Sequence, residues 1–107
     1  MARSARRYDL YLPLAFNDGR LIPIEQFEGV ERRLLDRFGG VTSLRDFPMR
    51  GIWQGETQLY LDQVIVMTVL DFRPAGSSRF IATLKRDLLR QLDQLEILIT
   101  ESAMRVH

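Results

Sequence analysis

The stretch from Leu59 to Phe72, LYLDQVIVMTVLDF, constrains what this chain can fold into more than any other. It is rich in β-branched residues, and alternation leaves it apolar on both sides. Leu59, Leu61, Ile65, Met67 and Val69 share one face, and Val64, Val66, Leu70 and Phe72 share the other. A strand of this kind is expected to be covered on both faces. Its near-continuous apolar run, Val64 to Leu70, is strand-sized and far short of the roughly 20 residues a membrane helix needs. The rest of the chain must therefore supply neighbouring strands and a layer to pack on them.

Those elements are readable on either side. Tyr8 to Leu14 alternates, with Tyr8, Leu10, Leu12 and Leu14 on one face and Asp9, Tyr11 and Pro13 on the other, which is a strand pattern. Asn17-Asp18-Gly19 marks a turn. Pro23 suits a helix start, and Ile24, Phe27, Val30, Leu34, Leu35 and Phe38 follow with helical spacing. Glu25 and Glu28 lie near its beginning and Arg32, Arg33 and Arg37 near its end, which complements the helix dipole. Gly39-Gly40 stops it. Val41 to Phe47 alternates as a second strand, and Pro48, Gly51 and Gly55 punctuate a loose region around Trp53. After the Leu59–Phe72 strand, Pro74-Ala75-Gly76 makes a break. Ser77 or Ser78 can then cap a second helix carrying Phe80, Ile81, Leu84, Leu88 and Leu92. Leu95 to Thr100 reads as a last strand before a polar tail.

The order is β-α-β-β-α-β, the ferredoxin-like α+β arrangement: a four-stranded antiparallel sheet with two helices on one face. It occupies residues 1–107 as a single domain, with 1–7 as a basic flexible arm and 101–107 as the tail. The first and third strands are central. The sheet face without helices would carry Tyr11, Val64, Val66, Leu70, Leu98 and Leu44, an apolar patch that calls for a cover. A second copy of the chain, most simply in a dimer, is the expected partner. A different protein or a ligand is the other cover.

Composition narrows the chemistry. The chain has 107 residues, no cysteine and one histidine, His107. Disulfides, thiolate metal sites and cysteine nucleophiles are excluded, and a terminal histidine is a poor start for Ser-His catalysis. Lys+Arg number 15 against 14 Asp+Glu, and Arg3, Arg6 and Arg7 are concentrated in the first segment. A near-neutral balance argues against a dedicated nucleic-acid binder. Valines on the third strand, where an RNA-recognition sheet needs stacking rings, argue the same way. No apolar segment follows the basic start, so the expectation is a cytoplasmic protein without a signal.

At Phe38-Gly39-Gly40-Val41-Thr42, followed by Gly51-Ile52-Trp53, the chain resembles a group of small uncharacterised bacterial proteins. The resemblance runs from about Tyr8 to Thr100 and implies a ferredoxin-like domain without implying an activity. In layout the chain also resembles dimeric α/β-barrel proteins. Some of those are cofactor-independent monooxygenases or isomerases, and others are ligand sensors; this likeness is one of fold.

Three groups of residues could carry chemistry. Arg73, Gly76, Ser77, Ser78 and Arg79 could form an anion site, with close backbone approach at Gly76, two hydroxyls, a helix N-terminus and flanking charge. The bland reading is an ordinary strand-to-helix turn. Asp62, Tyr60 and Trp53, with Tyr11 and Arg45, could line a pocket on the helix-free face or its rim. There Asp62 would act as a general base, with Tyr60 or Arg45 polarising an oxygen. Trp53 and Tyr60 suit a subunit interface better, since nothing fixes a third catalytic partner. Asp46 and Asp62 are two carboxylates without a third ligand, so no metal site is assigned, and nothing calls for a cofactor. The leading expectation is a non-catalytic interaction module that assembles through its open sheet face. The alternative is a small-molecule enzyme or ligand sensor of the dimeric α/β-barrel type.

Overall fold

The computed structural model describes residues Met1–His107. In chain order it forms β1 (Arg3–Pro13), α1 (Ile24–Phe38), β2 (Thr42–Ser43), β3 (Met49–Gln54), β4 (Leu59–Asp71), α2 (Ser77–Gln91) and β5 (Leu98–Val106). The class is α+β, with two helices and a five-stranded sheet in which every pairing is antiparallel. β1 and β4 lie together in the middle, β5 flanks β1, and both β2 and β3 pair with the outer side of β4. The two strands expected at the centre are therefore there.

Alternation in β1 and β4 makes the core. Register sets Leu10 opposite Met67 and Leu12 opposite Ile65, so these side chains share one sheet face. They join Tyr8 and Val69 in a cluster with Phe27, Val30 and Leu34 of α1 and with Leu84, Leu88 and Leu92 at α2. Both helices thus cover the same face. Leu10, Leu12, Leu34, Met67, Leu84 and Leu92 have no exposed surface, and burying each such side chain contributes about 1.5–3 kcal/mol. α1 ends as its sequence dictates: Gly39 adopts φ +81° and its N–H donates to the Leu35 carbonyl at 2.8 Å. Arg33 Nη1 donates to Asp87 Oδ2 at 3.0 Å and ties the helices together.

Several boundaries differ from the sequence reading, each for a physical reason. Arg3 to Arg7 are not a flexible arm but the first part of β1, because Arg3 to Tyr11 find partners on β5 from Val106 to Leu98. By the same pairing the segment 101–107 is no polar tail: β5 begins at Leu98, not Leu95, and continues to Val106. The second strand shrinks to Thr42–Ser43, and the backbone turns over Arg45-Asp46-Phe47. The region around Trp53, read as loose, is instead β3, paired with β4 from Met49↔Val64 to Gln54↔Leu59. The sheet accordingly has five strands rather than four, with one edge shared by β2 and β3. β4 is not covered on both faces along its length: Leu59 to Gln63 are exposed, and burial begins at Val64. α2 is capped by Gly76 in a left-handed conformation, without a serine side-chain bond.

Candidate functional site

β4 outruns its inner neighbour. Its pairing with β1 stops at Pro13↔Val64, whereas its pairing with β3 continues to Leu59. The β3–β4 hairpin therefore projects past the body of the sheet and forms one wall of a cleft. The end of β1 and the following loop form the floor, and the segment before β5 forms the opposite wall. Two adjoining cavities of about 860 and 370 Å³ occupy the cleft and share Pro13, Trp53, Asp62, Gln94 and Glu96. The larger adds Tyr60, Leu61 and Phe16 among others, and the smaller adds Tyr11, Val64, Ile97 and Leu98.

The side chains on the hairpin wall follow from register. Trp53 pairs with Tyr60 and Gly51 with Asp62, and cross-strand partners point to the same face. All four positions therefore belong to the helix-free side of the sheet. Two glycines shape this wall. A Cβ on Gly55 would come within 2.5 Å of Tyr60 Cε2, and a Cβ on Gly51 within 3.1 Å of Trp53 Nε1. Both rings lie over bare backbone, which also explains how a glycine-rich segment holds as a strand.

The charge in the cleft has one sign. Among the residues lining both cavities the charged ones are Asp62 and Glu96, with no lysine, arginine or histidine, although the chain carries 15 Lys+Arg. Glu96 Oε1 accepts from Lys85 Nζ at 2.7 Å and from the Ile97 N–H at 2.9 Å. The bond from Lys85, followed by that from Ile97, lowers its pKa below the ordinary carboxylate value. Glu96 is therefore an anion at neutral pH.

The structure brings Asp62, Tyr60 and Trp53 to one cleft, with Tyr11 at its inner end. It does not bring Arg45, whose Nε pairs with Glu31 Oε2 of α1 at 3.2 Å. Asp46 lies exposed in the turn after β2, and Asp62 lies on β4. The loop considered for an anion is occupied internally. Ser77 is buried, its hydroxyl accepts from Arg37 Nη2 at 3.0 Å, and Arg37 Nη2 also donates to the Ala75 carbonyl at 2.9 Å. The N–H of Ser77 donates to the Pro74 carbonyl at 3.0 Å and the N–H of Arg73 to Asp71 Oδ1 at 3.0 Å. Gly76, Ser78, Arg73 and Arg79 remain exposed around a turn whose inward donors are used.

Of the residues expected on the open face, Val64 is buried, Tyr11, Val66 and Leu70 are half-buried, and Leu44 and Leu98 are exposed. Sequence reasoning missed a polar group in the middle of that face. Arg7 Nε donates to Asp9 Oδ1 and Oδ2 at 3.1 and 3.0 Å, and Thr68 Oγ1 donates to Asp9 Oδ1 at 2.6 Å. Asp9 and Thr68 are cross-strand partners. The available signal was Asp9 standing in an alternating strand; placing Arg7 in a mobile arm hid its partner.

Fold and site together define a small α+β domain with an open sheet face and an acidic, aromatic-walled cleft at one end. Among solved structures it is similar to a phage SAM lyase in complex with S-methyl-5′-thioadenosine. The two share 13% sequence identity and a TM-score of 0.68, over 95% of this chain and 88% of that one. At that identity the likeness is one of fold, and it does not carry the motif pattern of Phe38–Thr42 and Gly51–Trp53. No protein-family profile and no curated protein matches the chain. No helix is long and apolar enough to cross a membrane. The comparison overturns the expectation of a non-catalytic interaction module: a protein similar in fold is a lyase in complex with a small molecule.

Proposed function

We propose that this chain is a ferredoxin-like small-molecule enzyme. Its substrate class is a nucleoside sulfonium or thioether, bound between the β3–β4 hairpin and the segment before β5. The observation that carries this reading is the cleft's makeup: aromatic walls with Asp62 and Glu96 as the charged groups that line it. A largely apolar pocket with a few convergent polar groups is the usual form of a ligand site. Aromatic faces and carboxylates attract an onium cation and repel phosphate. The shared fold with a SAM lyase that binds S-methyl-5′-thioadenosine supports the same ligand class.

In this reading Asp62 is the base. Cleavage of the bond between the sulfonium and its aminobutyrate carbon leaves the bonding pair on sulfur, which becomes the neutral thioether. The carbon next to the one released gives up a proton to Asp62, and that C–H pair closes the new double bond. Asp62 also balances the substrate's positive charge, and Glu96, paired with Lys85, offers acceptor oxygens on the opposite wall. We also assign the open sheet face to a second copy of the chain in a dimer, because its half-buried Tyr11, Val66 and Leu70 otherwise meet water.

Incubation with S-adenosylmethionine, read by chromatography, tests the assignment. The expected result is release of S-methyl-5′-thioadenosine, and loss of about 10²–10⁴-fold in rate for Asp62→Asn with binding retained. Binding of the thioether without turnover would make the protein a sensor. An Asp62→Asn variant as fast as the parent would remove Asp62 from the mechanism, and neither binding nor turnover would end the reading.

A further inference from the structure

We infer that Trp53 is a stacking platform for a planar ring of the ligand, and that Gly51 is the positioning residue that leaves room for the indole's edge. The inference rests on the cleft being the ligand site and specifies how it grips an aromatic ring. Trp53 is the single tryptophan of the chain and lines both cavities. On an isolated edge its ring could take several rotamers, but here one side of it rests on Gly51. A Cβ added there would stand 3.1 Å from Nε1, 3.4 Å from Cε2 and 3.5 Å from Cζ2. These three atoms form one edge of the indole, so that edge stands against the glycine. Trp53 nevertheless remains 42% exposed. The exposed part faces the cleft, where Tyr11, Pro13 and Leu98 make the far wall of the smaller cavity.

Charge completes the arrangement. Asp62 is the cross-strand partner of Gly51, so its carboxylate rises beside the platform. A ring stacked on Trp53 therefore meets an acceptor at its edge, which suits a ring bearing an amino group or a sugar bearing hydroxyls. A Cβ at position 51 would stand 3.1 Å from Nε1, so alanine there displaces the indole's edge by a few tenths of an ångström. The hairpin backbone itself tolerates alanine, because Gly51 has an ordinary negative φ.

The experiment uses the lone tryptophan as its own reporter. S-methyl-5′-thioadenosine is titrated into the full chain by calorimetry for the parent, Trp53→Phe, Trp53→Leu and Gly51→Ala, and by tryptophan emission for the parent and Gly51→Ala, which keep the lone tryptophan. The expected result is heat accompanied by a change in emission, and a loss of affinity of about tenfold in Trp53→Leu, with Trp53→Phe between. Gly51→Ala should also weaken binding, and its ligand-free emission should shift while its melting temperature stays that of the parent. Heat without an emission change, or Trp53→Leu binding as tightly as the parent, overturns the platform and leaves the cleft intact. Parental affinity and emission in Gly51→Ala overturn its positioning role. No heat with the parent protein overturns the cleft reading and this inference with it.

Discussion

Tyr8 shows how one residue's surroundings set its chemistry. Its ring is buried under the helices, 5.9 Å from that of Phe38, which in turn meets Phe80 edge-on at 5.5 Å. Burial, followed by the nearby charges of Glu101 and Asp71, raises the phenol pKa from its ordinary value of 10.0, and Arg6 offsets only part of this. A raised value means that the folded state resists ionisation. The resulting stability is complete below about pH 10 and is lost as pH climbs through the folded value. An absorbance titration of phenolate should show a late phase that Tyr8→Phe removes. A titration identical in the two proteins would contradict the burial account. Residues of this kind were readable in sequence because alternation placed Tyr8 on the apolar face of a strand. Asp62, Tyr60 and Trp53 were readable as a group because two of them share strand parity and the third sits in a glycine-flanked patch. Glu96 was not, since nothing local says that Lys85 would reach it across the loop. The pairing of Arg7 with Asp9 and Thr68 depends on the extent of β1, and a basic segment with no apolar neighbours hides a strand well.

At the scale of elements, the helices were the most legible part, since their spacing and end signals agree with each other. Gly39 is the clearest case. At φ +81° it closes α1, and nothing lies within 4 Å of where a Cβ would be. Alanine there meets no clash and suffers only the left-handed backbone penalty, about 1–2 kcal/mol. Chemical denaturation of Gly39→Ala should show that loss with an unchanged slope against denaturant; a stability equal to that of the parent would mean that the cap relaxes. β3 was the least legible element. Gly51 ordinarily weakens a strand, and here the Trp53 ring packs against it, while Pro48 and Gly55 stand just outside the strand's two ends. That compensation is tertiary and has no signature in local propensity. The second strand failed in the opposite way. Its alternating pattern continues to Phe47, but a turn carries Arg45 to Glu31 on α1 and leaves Phe47 at 76% exposure.

For the whole molecule, element order made the central pair, β1 and β4, readable before any coordinate, but not the fifth strand, β3, that shares an edge with β2. The occupant of the open face could not, because a sheet pattern says that a surface is apolar without saying what meets it. Val66 and Leu70 flank the Arg7–Asp9–Thr68 group there, which would pin register between two copies while the aliphatic residues supply contact area. Val66→Asp and Leu70→Asp should each shift sedimentation from a dimer to a single chain without unfolding it. A parent protein that sediments as a single chain would refute pairing through this face. The projecting hairpin has a consequence of its own. From Leu59 to Asp62, β4 is anchored by β3 alone, and an isolated pair of strands is only marginally stable in water. The wall that carries Trp53, Tyr60 and Asp62 is thus fastened more weakly than the floor it faces. Whatever bridges the two sides acts as a clasp, and part of its binding energy goes into holding that wall still. A molecule that touches only one side gains no such grip, so the looseness of the hairpin itself selects for long ligands over short ones.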